Sequence, residues 1–309
     1  MMLYLRSFTF PSQERESFNF HGARRQCYNT VYPFGVLCRF DPTLLTMDAV
    51  TILYGGNGTG KTTALNVMAA KLGLLRDTPG SKSTMLNVMA DKLALTRDAR
   101  YNRSTFFEEY VALCDAEVQG NLPPESRIIT SDDVFDYMLN LRALNEGIDA
   151  QREDMFRQYA ADRQVTQAFR TMADYDQLKR VNLARRSTQS AYVRTQMGGH
   201  IREQSNGESA MFCFTSRIGD GGLYLLDEPE NSLSPERQLE LMQFLEDSAR
   251  FYGCQFIIAT HSPFLLAMRG ARIYDLDADP VVRRKWTELP AVRTYFDFFA
   301  SHADDFRGE

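Results

Sequence analysis

Hydrophobic positions along the chain fall into two kinds of pattern. Short uninterrupted apolar runs read as strands: "AVTILY" (49–54), "RIIT" (127–130), "LYLL" (223–226) and "QFIIAT" (255–260). A run such as 49–54, apolar at successive positions, fits a strand buried on both faces of a parallel sheet. Alternating aromatic and β-branched residues predict two further strands at 3–10 and 34–40. A helical pattern begins at 62 and is broken by "RDTPGS" (76–81), where Pro79 cannot sit in a helix interior. A second helix is expected over about 83–95. Residues 133 to about 186 hold many helix formers, no proline and a single glycine. Beyond 270 the pattern is short-ranged and ends in a polar tail.

The break at 76–81 separates two copies of one sentence. "KTTALNVMAAKLGL" (61–74) recurs as "KSTMLNVMADKLAL" (82–95), with ten of fourteen positions identical. Only the first copy has the chemistry of a phosphate loop. "GGNGTGKTT" (55–63) satisfies G-x4-G-K-[ST] through Gly55, Gly60, Lys61 and Thr62, with a buried strand before it and a helix after it. Gly58 and Gly60 let the backbone curl so that successive N–H groups face one anion, and the helix N-terminus adds partial positive charge. The candidate nucleotide-binding residues here are Gly55, Asn57, Gly58, Thr59, Gly60, Lys61, Thr62 and Thr63. Lys61 should reach the β- and γ-phosphates, and the Thr62 hydroxyl should take a magnesium position. In the second copy Ser81 stands before Lys82 and no buried strand precedes it, so the N–H cradle cannot form. The reading is one site and an echo, with Met85, Leu86, Met89 and Leu93 of the echo on one packing face.

The run at 223–226 ends in "DEPENSLSPE" (227–236). In an open α/β sheet the carboxyl ends of the strands carry the chemistry. Asp227 at that edge could hold a hydrated Mg2+, and Glu228 could polarise a water that attacks the γ-phosphate. The plain alternative is a solvated acidic turn. "FIIATHSP" (256–263) puts His261 at a third strand tip, where it could hydrogen-bond the γ-phosphate.

Composition narrows the class. The 309 residues are 44% hydrophobic and 24% charged, enough for a large α/β domain with an insertion. A net charge of −5 argues against a surface that coats nucleic acid throughout. Cys27, Cys38, Cys114, Cys213 and Cys254 are odd in number and form no CxxC pair, which suits reduced thiols in a cytoplasmic protein rather than a zinc site. No apolar run approaches the roughly 20 residues that span a bilayer, and Arg6 interrupts the N-terminus too early for a secretory signal.

The three strand ends, together with "SNGES" (205–209), resemble the ABC ATPase family. The resemblance covers roughly 1–130 and 200–270. It implies a P-loop NTPase fold, α/β with a mostly parallel core sheet, antiparallel N-terminal strands and a helical insertion. The expected layout is one ABC ATPase domain over 1–309: an N-terminal lobe (1–130), the insertion (131–204) and a second lobe (205–309). By the same resemblance Gly55–Thr63 is the Walker A loop, Asp227 and Glu228 are the Walker B pair, and His261 is the switch histidine. Ser205, Gly207 and Glu208 look like the signature motif: Ser205 and Gly207 stand where it touches the γ-phosphate, and Glu208 replaces its final Gln. The family's mechanism implies ATP and Mg2+ as cofactors and an ATP-dependent homodimer, each Ser205 loop capping the nucleotide of the other protomer.

The spelling S-x-G-E is closer to the chromosome-maintenance and repair branch. "DEPENSLSP" is similar to the "DEPExxLHP" of the overcoming-lysogenisation-defect group, many of which are linked to phage defence. Asp132 or Asp133 stands where a Q-loop glutamine is expected, and Tyr32 and Phe40 are candidates for adenine stacking. About 70 residues separate "TSDD" (130–133) from "SNGES", too few for a long tether. Lys179, Arg180, Arg185, Arg186, Arg194 and Arg202 lie in a stretch without Asp or Glu, which reads either as a nucleic-acid contact or as a solvated helix face. The 48 residues after His261 are too few for the nuclease that defence-type relatives carry, so either the effector is a separate polypeptide or the ATPase acts alone. The alternative reading is the ATP-binding subunit of a membrane ABC transporter.

Overall fold

The computed structural model describes residues 3–22, 32–38, 44–76, 105–139, 154, 157, 159–161, 206–231 and 233–307. The chain divides into two compact units, Met1–Phe135 with Asn206–Glu309, and Asp136–Ser205. The described residues of the second unit are helical. The elements described below belong to the first.

Its strands are β1 (Leu5–Thr9), β2 (Leu44–Thr46), β3 (Val50–Tyr54), β4 (Leu75–Arg76), β5 (Asp115–Val118), β6 (Arg127–Thr130), β7 (Gly222–Asp227), β8 (Cys254–Ala259), β9 (Arg272–Asp275) and β10 (Val282–Arg284). Its helices include α1 (Gln13–Gly22), α2 (Lys61–Leu72), α3 (Thr105–Leu113), α4 (Asn206–Arg217), α5 (Pro235–Phe251), α6 (Pro263–Leu266), α7 (Pro290–Ser301) and α8 (Ala303–Arg307), and the residues from 131 to 139 are helical as well. Among the described residues, seven strands form a sheet in the order β10-β9-β3-β8-β7-β6-β4. All neighbours in it are parallel except the edge pair β9 and β10. The fold is mixed α/β with a mostly parallel sheet, and β3, its loop and α2 form the strand–loop–helix unit of P-loop domains.

The three central strands explain why the apolar runs were uninterrupted. Every residue of β3, β7 and β8 is buried, because helices cover both faces of a parallel sheet. Each buried Leu or Ile contributes roughly 1.5–3 kcal/mol, and α2 adds Ala64, Leu65, Val67 and Met68 to the same core. Register then fixes the site. Leu53 and Asp227 both pair with Ala259, so the tips of β3, β7 and β8 end level at one edge. Backbone bonds continue just past them: Glu228 N–H donates to Ala259 O at 2.8 Å, and Thr260 N–H to Leu53 O at 3.3 Å.

A smaller antiparallel sheet, β2-β1-β5, lies beside this core. Its strands β1 and β2 mix buried and more exposed positions, while β5 alternates exposed and half-buried ones. Gln255, fully buried on β8, ties it down: its Oε1 accepts from Tyr4 and Leu5 N–H at 2.8 Å each, and its Nε2 donates to Leu5 O and Asp48 O.

Two expectations need correction. Residues 34–38 are not strand but part of a turn over 32–38. Val36 N–H closes back on Pro33 O at 3.1 Å, and Gly35 takes φ +80°, which a strand does not admit. Residues beyond 270 hold more order than their pattern suggested, since β9 extends the main sheet beside β3. The expected echo helix 83–95 lies outside the described residues.

Candidate active site

The phosphate loop is built as its glycines demand. Gly58 and Gly60 take φ +81° and +93°, and a Cβ at Gly60 would meet Leu37 Cδ2 at 3.0 Å. Thr59 braces the loop by donating its hydroxyl to Gly56 O at 2.9 Å, while Gly56, Asn57 and Gly58 form an exposed crest. Gly60 caps α2 without a side-chain acceptor. The first-turn N–H groups of α2, which no helix satisfies internally, thus open toward the loop. Lys61 is 4% exposed and donates Nζ to Gly55 O and Gly56 O at 2.7 and 2.9 Å.

The acidic tip of β7 meets this loop. Thr62 Oγ1 donates to Asp227 Oδ1 at 3.1 Å. Burial pushes the Asp227 carboxyl up to about 6 despite that bond, and the neighbouring Glu228 pushes the same way. A desolvated carboxylate beside a hydroxyl is a hard oxygen pair, and its ionised form calls for a cation. The donor set therefore fits Mg2+, with Thr62 and Asp227 as the residues that would hold it.

Glu228 sits at the crossing point. Its Oε1 lies 3.7 Å from Lys61 Nζ and 3.8 Å from His261 Nδ1, and its Oε2 accepts from Asn231 Nδ2 at 3.1 Å. Its φ of +47° is a left-handed conformation in a residue that is not glycine, a local strain that typically marks functional positions. His261, half exposed, stands at the tip of β8. Lys61, Thr62, Asp227, Glu228 and His261 therefore converge at one sheet edge.

Other expected residues are placed differently. Asn206, Gly207 and Glu208 begin α4, and Glu208 pairs with Arg237 of α5 at 3.5 Å. Ser205 lies outside the described residues, as do Phe40, Lys82, Lys179, Arg180, Arg185, Arg186, Arg194 and Arg202. Asp133 is no free stand-in for a Q-loop glutamine: its buried Oδ2 accepts from both Thr130 N–H and Thr130 Oγ1 at 2.8 Å. Tyr32 donates its hydroxyl to Thr63 Oγ1 at 3.2 Å and stacks on Phe107.

Two residues at the site escaped the sequence reading. Asp277, just past β9, accepts the Gly56 N–H with both carboxylate oxygens at 3.0 Å. Glu230 is buried between the tips of β7 and β8. Its position inside "DEPEN" was the available signal, but proximity to Asp227 and Glu228 made it look like more of the same acidic turn.

Residues 149–267 match the family model described as "AAA domain, putative AbiEii toxin, Type IV TA system". That span is less than half of the chain, and it takes in Asp227, Glu228, Glu230 and His261. No curated protein matches the sequence. Among solved structures, the chain is similar to a dimeric post-hydrolysis state of the ATP-binding cassette MJ0796 bound to ADP and Pi. Identity there is 13%, covering 80% of this chain and 90% of that one, with a TM-score of 0.36. It is also similar to an Smc head domain with an extended coiled coil bound to the C-terminal domain of ScpA, from Pyrococcus furiosus. There identity is 12%, coverage 82% and 94%, and the TM-score 0.37. At this level of overlap the likeness carries no functional argument.

Proposed function

We propose that this protein binds and hydrolyses Mg-ATP at the edge formed by β3, β7 and β8. The observation that carries the reading is the direct bond from Thr62 to Asp227, which joins the phosphate loop to the acidic strand across the sheet. In this reading the loop amides and Lys61 bind the β- and γ-phosphates, Lys61 exchanging its loop carbonyls for phosphate oxygens. Mg2+, held by Thr62 and Asp227, would neutralise phosphate charge. Glu228 orients a water and takes its proton as the water oxygen attacks the γ-phosphorus. The bond to the β–γ bridging oxygen breaks, leaving ADP and phosphate. His261 hydrogen-bonds the γ-phosphate.

We further infer that two protomers close on two nucleotides, with Ser205, Gly207 and Glu208 of one capping the γ-phosphate of the other. A cap of this kind gains charge-assisted bonds only while the γ-phosphate is present, which makes dimerisation ATP-dependent. The work driven is assigned to a separate effector or to nucleic acid through Lys179, Arg180, Arg185 and Arg186, in repair or phage defence. The toxin–antitoxin wording of the matched family description is compatible with a defence role.

Phosphate release from Mg-ATP, followed against protein concentration, tests both layers. Specific activity should rise with concentration. Ser205→Arg should abolish that rise while leaving monomer ATP affinity nearly unchanged. A fully active Ser205→Arg variant removes the sandwich, and absence of any phosphate release removes the enzyme.

A further inference from the structure

Glu230 has a hydrogen-bonding pattern that the proposed reaction does not use. The side chain is 5% exposed. One oxygen, Oε1, accepts from Thr260 Oγ1 at 2.7 Å, His261 N–H at 2.9 Å and Ser262 N–H at 3.2 Å. The same oxygen lies 3.3 Å from His261 Nδ1. The other oxygen, Oε2, is buried and has no hydrogen-bond partner. A carboxylate is an expensive group to bury half-satisfied, and each unmet buried acceptor costs about 1–3 kcal/mol. A glutamine oxygen in the same place could still accept the three donors on Oε1, though more weakly than a carboxylate. The group nearby that also responds to charge is the His261 imidazole.

We propose that Glu230 is a positioning residue for His261. Its carboxylate fixes the backbone of the 260–262 turn and, through its charge, holds Nδ1–H toward itself. Nε2 is then the ring nitrogen left to meet the γ-phosphate. With Nδ1–H facing Glu230, a hydrogen bond from Nε2 to a phosphate oxygen uses the doubly protonated ring, in which both nitrogens donate. Glu228 lies 3.8 Å from the same Nδ1, and Lys61 is 3.7 Å from Glu228 on its other side. Lys61 therefore offsets the charge of Glu228, and Glu230 faces the ring without such a counter-charge among its described contacts. The inference rests on the ATPase reading above.

The test is a double-mutant cycle on the full chain: Glu230→Gln, His261→Ala and the pair, each measured for ATP Kd, kcat and thermal midpoint. Glu230→Gln should keep ATP Kd within about twofold and lower kcat roughly tenfold, the lower end of what is lost when the outer partner of a metal-ligating histidine is removed. In the His261→Ala background the same change should lower kcat no further, because its effect travels through the ring. Parent-like kcat in Glu230→Gln overturns the proposal and leaves Glu230 as a turn cap. A double variant about tenfold below His261→Ala also overturns it. Should Glu230→Gln fail to fold, Glu230→Asp takes its place. It keeps the charge but withdraws it from Nδ1, so kcat should fall at unchanged ATP Kd, and parent-like turnover again overturns the idea. A parent that releases no phosphate fails the ATPase reading and this inference with it. A parent that hydrolyses ATP while the cycle is additive fails this inference alone.

Discussion

The two sheets formed by the described residues do different work. In the seven-stranded sheet, β3, β8 and β7 run parallel, so their carboxyl ends arrive together and present Lys61, His261, Asp227 and Glu228 within one small volume. In the three-stranded sheet β1 runs antiparallel to both β2 and β5, so neighbouring strands end at opposite edges. An antiparallel sheet cannot gather three strand tips in this way. It carries the first sheet instead, through Gln255. The lesson is that strand direction, more than strand composition, decides where chemistry can collect.

That contrast can be broken from either side. Glu228→Gln at the tip of β7 should lower ATP turnover about a hundredfold or more, the usual loss with a general base. Steady-state phosphate release checks this, and nucleotide binding should persist. Gln255→Leu attacks the support. It leaves the Tyr4 and Leu5 amides and the Leu5 carbonyl without their partner, and should lower stability by about 4 kcal/mol while ATP Kd changes little. Denaturant unfolding with parallel ATP titration separates the two effects.

Asp227→Asn gives a smaller effect with a definite sign. The native carboxyl, raised from 3.8 to about 6, holds its proton more tightly than the unfolded chain does. Parent stability should therefore fall as pH rises from about 4 to about 6. Above that window the ionised, buried group costs at most about 3 kcal/mol. In metal-free buffer without nucleotide, Asp227→Asn should be the more stable protein at pH 8, and the difference should vanish below pH 4. The smallest change is expected at the far side of the supporting sheet. Arg6 and Glu117 pair at 3.6 Å with both side chains exposed, so Glu117→Ala should move the thermal midpoint by about a degree or less.

Legibility followed the same divide. The central strands were readable because burial on both faces keeps all but isolated interior positions, Thr51 and Gln255, apolar, and a G-x4-G-K-[ST] loop admits few other uses. The meeting of Thr62 with Asp227 was implied once all three runs were placed in one parallel sheet. Strand β9 was not readable: its "RIYD" holds only two apolar residues between charged ends, without the run of branched residues that marks "RIIT". The turn at 32–38 was mistaken for a strand because aromatic Phe34 and β-branched Val36 alternate as strand residues do, although Pro33 and Gly35 argued otherwise. Glu230 and Asp277 were missed for a different reason. Their roles are to accept backbone N–H groups from distant segments, and nothing local in a sequence records such a bond.

The duplicated lysine motif offers the most direct test of the central claim, that a single Mg-triphosphate site forms where the three tips meet. Titration of Mg-ATP into the parent, Lys61→Ala and Lys82→Ala should give one nucleotide per chain in the parent, none in Lys61→Ala and one in Lys82→Ala. Binding that survives Lys61→Ala, or disappears in Lys82→Ala, would contradict it.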